Sequence, residues 1–257
     1  MTSDFGLVDP YIAEMKGVIL TINPNTVIVD ITHGIEKYNI VMGAFTLSSA
    51  APYFPKGTVH LAVVDPGVGT KRRAIIIQTK QAIFVGPDNG LLILAAGNQG
   101  IEHIYQLTNP KFMLLETSST FHGRDVFAPA AAHLEKGIKP ERFGPEILEP
   151  VRPEFTQVKH KNGSVIGRVL HIDSFGNIIT NINKSEIVQN GIKEAINIQM
   201  PKYQLKLRLK KTYGETKPNE PLALIGSHGF LEIALNRGNA AEKYQAKVGM
   251  EIAVSPA

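Results

Sequence analysis

Between Gly137 and His160 the apolar patterning of this chain stops, and Pro140, Gly144, Pro145, Pro150 and Pro153 stand among charged residues. Proline has no amide donor and restricts the residue before it, so neither helix nor interior strand propagates through such a stretch. The composition is that of a linker. It divides the 257 residues into 1–150 and 151–257, each long enough to bury its own core. With 43% hydrophobic and 19% charged residues, disorder is excluded.

In the first part, short apolar runs alternate with amphipathic stretches, the pattern of a layered α/β domain with a Rossmann-like sheet and helices. Asp9-Pro10 reads as a helix start, with Asp9 as cap and Pro10 at the first helical position, followed by Ile12, Met15 and Ile19 at helical spacing. Asn23-Pro24 ends it. Residues 27–31, 58–64, 74–79 and 82–85 are β-branched runs between turn residues and predict buried strands. Residues 40–53 and 126–136 predict helices. Past the linker, residues 165–172, 177–182, 196–200, 203–209, 222–225, 230–235 and 246–254 predict short strands with few helices between them. That pattern predicts a small all-β barrel, with a sandwich as the alternative. There is no internal repeat.

A net charge of +4 is mild, and Lys202, Lys206, Lys210 and Lys211 suit the solvated face of strands better than a nucleic-acid patch. The absence of cysteine excludes disulfides, thiolate metal sites and a cysteine nucleophile, and suits a reducing cytoplasm. No apolar run approaches the ~20 residues that cross a bilayer, and Met1-Thr2-Ser3-Asp4 lacks the basic and apolar regions of a signal peptide. A soluble cytoplasmic protein is expected.

Several chemistries lack support. Gly67-Val68-Gly69-Thr70-Lys71 meets neither phosphate-loop nor dinucleotide spacing, the eight histidines show no metalloprotease spacing, and there is no Gly-x-Ser-x-Gly elbow. No metal site is expected. What remains is a trio: Asp65 at a strand end, Arg72 after a glycine-rich turn, and His122 between Phe121 and Gly123. An Asp–Arg pair beside a histidine sets its protonation and tautomer, and such a cluster can orient and polarise a water. The structural alternative makes Asp65 a turn cap, Arg72 a surface residue and His122 a satisfied residue at a helix start.

The second part carries Asp173-Ser174-Phe175-Gly176-Asn177 and Gly226-Ser227-His228-Gly229. Phe175 offers a flat stacking face, Asn177 a paired donor and acceptor suited to a purine edge, and Asp173 an anion for an amine. A hairpin turn is the structural alternative. Asp4, ahead of Phe5-Gly6, can hold a ribose diol or cap a helix.

Ser3-Asp4-Phe5-Gly6, Val64 to Thr70, Pro87-Asp88-Asn89-Gly90, Phe121 to Asp125, Phe175-Gly176-Asn177 and Gly226-Ser227-His228 together resemble the S-adenosylmethionine hydroxide adenosyltransferase family, related to the fluorinase and chlorinase. The likeness spans nearly the whole chain in the family's order. It implies an α/β domain followed by a β-barrel, and a homotrimer whose sites lie between one subunit's first domain and a neighbour's second. It also implies attack on the ribose C5′ of S-adenosylmethionine, with methionine leaving from the sulfonium and no cofactor.

In the hydrolase branch an Asp, Arg and His trio stands where the halogenases hold a halide, and Asp65, Arg72 and His122 match it. The trio would orient and partly deprotonate a water, with His122 the favoured proton acceptor and Asp65 the alternative. Asp4 would bind the ribose hydroxyls. Asp173 and Ser227 would hold the amino-acid end, and Phe175, Asn177 and Tyr213 would enclose the adenine, with backbone from Arg237 to Ala240 contributing. His228 replaces the arginine of the halogenases and lacks its bidentate fork. Only three residues precede Asp4, fewer than the family's opening strand, so either the start lies upstream or the strand is very short; a truncated strand would hold Asp4 poorly. The expected activity is hydrolysis to adenosine and L-methionine. The rivals are a halide-dependent adenosyltransferase and a non-catalytic S-adenosylmethionine or adenosine sensor.

Overall fold

A computed structural model of the chain describes every residue from Met1 to Ala257. They cluster into two units, Met1–Arg152 and Pro153–Ala257. The first holds strands β1 (Thr2–Ser3), β2 (Val59–Val63), β3 (Ala74–Thr79), β4 (Ile83–Pro87) and β5 (Ile101–Gln106), with helices α1 (Tyr11–Ile22), α2 (Ile40–Ala50), α3 (Ile93–Asn98) and α4 (Ala128–Glu135). The sheet order is β1-β2-β4-β3-β5. β1, β2 and β4 run parallel, whereas β3 is antiparallel to both β4 and β5, so the α/β sheet is mixed.

Alternation along each strand builds two cores, because successive side chains point to opposite faces. Leu61, Val63, Ile76 and Val85 pack with Ile12, Met15 and Ile19 of α1 and with α4. Ala62, Ile75, Ile77 and Phe84 pack on the other side with Leu47 of α2 and Ile93 of α3. Helices therefore cover both faces.

Several expectations are corrected. Helix α1 buries the three predicted residues, but Pro10 is its N-cap rather than its first residue, so the helix starts one residue later than expected, and no side chain caps it. Residues 27–31 form no strand: Val27 and Val29 are exposed, and Ile31 instead donates its amide to the Met1 carbonyl. The helix read at 126–136 is preceded by one π turn, Gly123–Phe127, with α4 proper starting at Ala128. Nor is the linker free throughout. Phe143 is fully buried against Phe112, and Gln106 and Ile147 exchange backbone hydrogen bonds with residues 145 and 104, so this stretch lies along the edge of β5.

In the second unit β6 (Lys159–Lys161), β7 (Ser164–Ile172), β8 (Ile178–Asn183), β9 (Ala195–Met200), β10 (Tyr203–Lys210), β11 (Pro221–Ile225), β12 (Phe230–Leu235) and β13 (Glu251–Pro256) form one sheet, ordered β13-β9-β10-β11-β12-β8-β7-β6. β13 also pairs with β7, which closes seven strands into a barrel and leaves β6 as a flap on β7. Closure removes the exposed edges that an open sheet would carry. β10 and β11 are parallel; the other pairings are antiparallel. Val165, Ile178, Ile196, Leu231 and Ile252 fill the interior. Two short helices, α5 (Lys184–Gln189) and α6 (Ala240–Lys243), were not anticipated. Residues 246–250, expected to open the last strand, form a turn before β13.

Candidate active site

The register pairs Ser3 with Val63, so Asp4 and, two residues past Val63, Asp65 follow the carboxyl ends of adjacent parallel strands, where α/β sheets ordinarily present ligand-binding groups. From Asp65 the chain turns tightly. The amides of Val68 and Thr70 donate to the carbonyls of Asp65 and Gly67, and Gly69 adopts φ +75°. A Cβ on Gly69 would lie 2.3 Å from the Ser119 carbonyl oxygen, so only glycine fits there.

The turn returns Arg72 onto Asp65. Nε donates to both carboxylate oxygens at 3.0 and 2.9 Å, and Nη2 reaches Oδ2 at 2.5 Å. Nη2 also lies 2.8 Å from Nδ1 of His122, and the guanidinium sits 5.1 Å over the Phe127 ring. Both side chains of the ion pair are largely shielded, at 11% exposure for Arg72 and 6% for Asp65. The three residues singled out from sequence are thus one bonded cluster.

His122 is held from behind by the π turn. Asp125 is fully buried and accepts from the Ser118 amide at 2.8 Å and from Arg124 Nε at 2.7 Å; Arg124 also pairs with Glu14. Gly123 lets the turn pack on Phe5, Met15 and Phe121. A guanidinium has only donors, so His122 Nδ1 must accept, and the ring proton sits on Nε2. Burial, then the Arg72 charge, holds the His122 pKa below its ordinary value, with Asp65 and Asp125 opposing. His122 is a neutral donor at its free nitrogen.

Asp4 is not poorly held. It is 5% exposed, and its Oδ2 accepts from the Tyr38 amide at 2.9 Å. The two-residue strand before it is tied on both sides: it pairs with β2, the Ser3 amide bonds the Thr32 carbonyl, and Ser3 Oγ lies 2.8 Å from Nδ1 of His33. His33 Nε2 in turn meets Asp30 at 3.0 Å. The neighbouring motif residue Asp88 bonds Arg73 and the Val151 amide, a structural role.

In the barrel unit, Asp173, Phe175, Asn177 and Tyr213 line a cleft of about 600 Å³ together with Leu235, Arg237, Gly238 and Asn239. Asp173 organises its own turn: Oδ1 accepts from the amides of Phe175 and Asn177, and Oδ2 from the Asn177 side chain, each at 2.9 Å. Phe175 is left 77% exposed, a free aromatic face. Gly176 holds φ +81°, and a Cβ there would overlap the Asn239 amide. Ser227 and His228 lie exposed on the turn between β11 and β12, outside the cleft lining.

One acid escaped the sequence reading. Glu232 of β12 is 6% exposed, and Tyr213 donates its hydroxyl to Glu232 Oε1 at 2.6 Å. The available signal was a single carboxylate inside the otherwise apolar run Phe230-Leu231-Glu232-Ile233-Ala234-Leu235. No group of three or more metal-ligating side chains converges in the structure, and no helix is long and apolar enough to cross a membrane.

Comparison with known proteins bears on both units. The family model described as the SAM hydroxide adenosyltransferase N-terminal domain matches residues 1–144, and that of the C-terminal domain matches residues 167–253. A protein of Thermus thermophilus named (R)-S-adenosyl-L-methionine hydrolase is 40% identical, covering 97% of this chain and 96% of its own length. A Salinispora tropica protein of the same name is 38% identical over 94% of this chain and 91% of its own. The fluorinase of an Actinoplanes species is more distant, at 28% identity over 99% and 96%. Among solved structures, an uncharacterized conserved protein from Thermotoga maritima matches with a TM-score of 0.85 and 38% identity, covering 99% of this chain and 98% of that one.

Proposed function

The chain belongs to the SAM hydroxide adenosyltransferase family, and on that footing we propose that it hydrolyses S-adenosyl-L-methionine to adenosine and L-methionine. The relatives named above point to the (R) epimer at sulfur as the substrate. The observation that carries the mechanism is the Arg72–His122 bond within the Arg72–Asp65 fork.

A sulfonium is already a good leaving group, so the protein need not protonate it and no metal or redox group is required. The task is to hold one water in line with the C5′–S bond and keep others away. Nε2–H of His122 donates to that water, and the Asp65 carboxylate accepts its proton as the new O–C5′ bond forms. The C5′–S electron pair returns to sulfur and releases methionine. Arg72 fixes both partners. This assignment reverses the order expected from sequence, in which His122 was the favoured acceptor, because the Arg72 contact places the ring proton on Nε2 and leaves that nitrogen no lone pair to accept with, whereas Asp65 Oδ1 keeps a lone pair beside its bond to Arg72.

Asp4 suits the ribose diol as an acceptor of two hydroxyl protons. Phe175, Asn177 and Tyr213 suit the adenine, and Asp173 the substrate ammonium, with Ser227 and His228 held in reserve for the amino-acid end. A homotrimer with each site shared between neighbouring copies is the assembly this reading expects. A halide-dependent reaction is disfavoured, because an anionic Asp65 and the imidazole occupy the place a halide would need.

The test is incubation with each sulfonium epimer in halide-free buffer and then with chloride, following products by chromatography with mass detection. Equal adenosine and methionine without halide is the expected result. Chloroadenosine on adding chloride, or binding without product, would overturn it.

A further inference from the structure

Glu232 has no evident reason to be where it is if stability alone shaped the barrel. Its strand is otherwise apolar, it is 6% exposed, and its carboxylate is met by the neutral Tyr213 hydroxyl. Burying a carboxylate without a countercharge is costly, and a leucine or methionine would fill the same space without that cost. Room for the acid is nonetheless built in: a Cβ on Gly226 would lie 2.7 Å from Glu232 Oε2. Residues that break a local rule in this way mark functional positions more often than structural ones.

Its partner lies in the cleft. Tyr213 opens a single 3-10 turn whose backbone is closed by a capping box, with Glu215 Oε1 accepting from the amides of Lys211 and Thr212. The box fixes the main chain but leaves the phenol ring free to rotate about its side-chain torsions. The hydroxyl's bond to Glu232 at 2.6 Å removes that freedom. A short hydrogen bond to a carboxylate is among the stronger side-chain ties, and an aromatic wall of a cleft gains from being ordered before a flat ligand arrives. Burial followed by the nearby Asp173 charge raises the Glu232 pKa, while the Tyr213 bond opposes the rise. The phenol thus stabilises the charged acid as the acid orders the phenol.

We propose that Glu232 is a positioning residue that fixes the Tyr213 ring in the wall of the barrel cleft and so sets affinity for the substrate's nucleobase. The proposal rests on the reading of that cleft as the adenosyl site.

Steady-state kinetics and adenosine titration calorimetry on the full chain test it, using wild type, Glu232→Gln, Glu232→Ala, Tyr213→Phe, Phe175→Ala and the Tyr213→Phe/Glu232→Ala double variant. Glu232→Ala and Tyr213→Phe should each raise KM and the adenosine Kd about tenfold, the scale of one lost hydrogen bond to a charged group, with much smaller changes in kcat. The double variant should be no worse than the worse single variant. Glu232→Gln keeps an acceptor for the phenol and should recover most of the affinity. Additive losses in the double variant, a fall confined to kcat, or wild-type KM and Kd in both single variants would overturn the proposal while the hydrolase reading stood. If Phe175→Ala binds adenosine as well as wild type, the cleft is not the adenosyl site, and the proposal falls together with that assignment.

Discussion

Nη2 of Arg72 lies 2.8 Å from Nδ1 of His122 while the same nitrogen holds Asp65 Oδ2 at 2.5 Å. One guanidinium therefore fixes an imidazole and a carboxylate together, which lysine cannot do, having a single charged nitrogen in place of the planar fork. Arg72→Lys should lower kcat by about 10²-fold, the cost of losing one aligned polar group in a water-excluded site, with adenosine affinity changed little. Turnover assays paired with adenosine titration check this; a kcat near wild type would show that the Arg72–Asp65 pair is structural only.

The same geometry dictates a pH profile. Burial and the Arg72 charge lower the His122 pKa, so the neutral form is the one the fold favours. Protonating Nδ1 would turn a donor toward a donor and break the Arg72 bond. Activity should accordingly be lost as pH falls through a value below the ordinary histidine value of about 6.5, and be flat above it. Because the folded pKa is the depressed one, the unfolded chain binds more protons in that window, and this group's contribution to stability likewise falls as pH drops. In Arg72→Gln the acidic limb of kcat/KM should move up toward the ordinary value. A limb that stays put would remove His122 as its source.

How much of this was legible beforehand depended on whether a signal was local. Ile12, Met15 and Ile19 bury themselves in α1 as their spacing predicts, and Phe230 to Leu235 forms the predicted strand. Residues 27–31 misled because a β-branched run does not report burial or the length of its partner: Val27 and Val29 are exposed, and Val29 and Ile31 meet only Met1, at the start of a two-residue strand. Asp65 and His122 are far apart in the chain, and their glycine-flanked motifs and the family resemblance singled them out with Arg72, but no local pattern reported that Arg72 would bond both. The Tyr213–Glu232 bond joins a loop to a strand, and no periodicity reports such a pair.

Gly69 is where the two ends of the trio meet. Its φ of +75° is unfavourable for any L side chain, and the Ser119 carbonyl that a Cβ would strike lies just ahead of His122. Gly69→Ala should cost at least about 1–2 kcal/mol from backbone strain alone and should displace one arm of the trio relative to the other. The expected result is a lowered melting temperature together with a loss of kcat exceeding the fraction unfolded. Wild-type turnover in a folded Gly69→Ala protein would show that the turn does not set the trio's geometry.

Behind Asp4 lies a second relay, from the exposed Asp30 to the buried His33 and Ser3, at 3.0 and 2.8 Å. It has the residue types of a hydrolytic triad, but Ser3 is 1% exposed inside a strand pairing, so its hydroxyl meets no substrate. What the relay does reach is the backbone around Asp4: Ser3 Oγ accepts from the Phe5 amide, and the His33 carbonyl accepts from the Gly6 amide at 2.8 Å. Both bonds fix the loop that presents the Asp4 carboxylate. His33→Ala, which leaves its carbonyl in place but removes the Ser3 partner, should raise KM severalfold with a smaller change in kcat, since ground-state and transition-state binding of the ribose are weakened alike. Asp4→Ala should raise KM further, and the double variant should match Asp4→Ala alone, because His33 acts only through that carboxylate. Additive losses would give His33 a role of its own; an unchanged KM in a folded His33→Ala protein would mean that the short strand pairing holds Asp4 unaided.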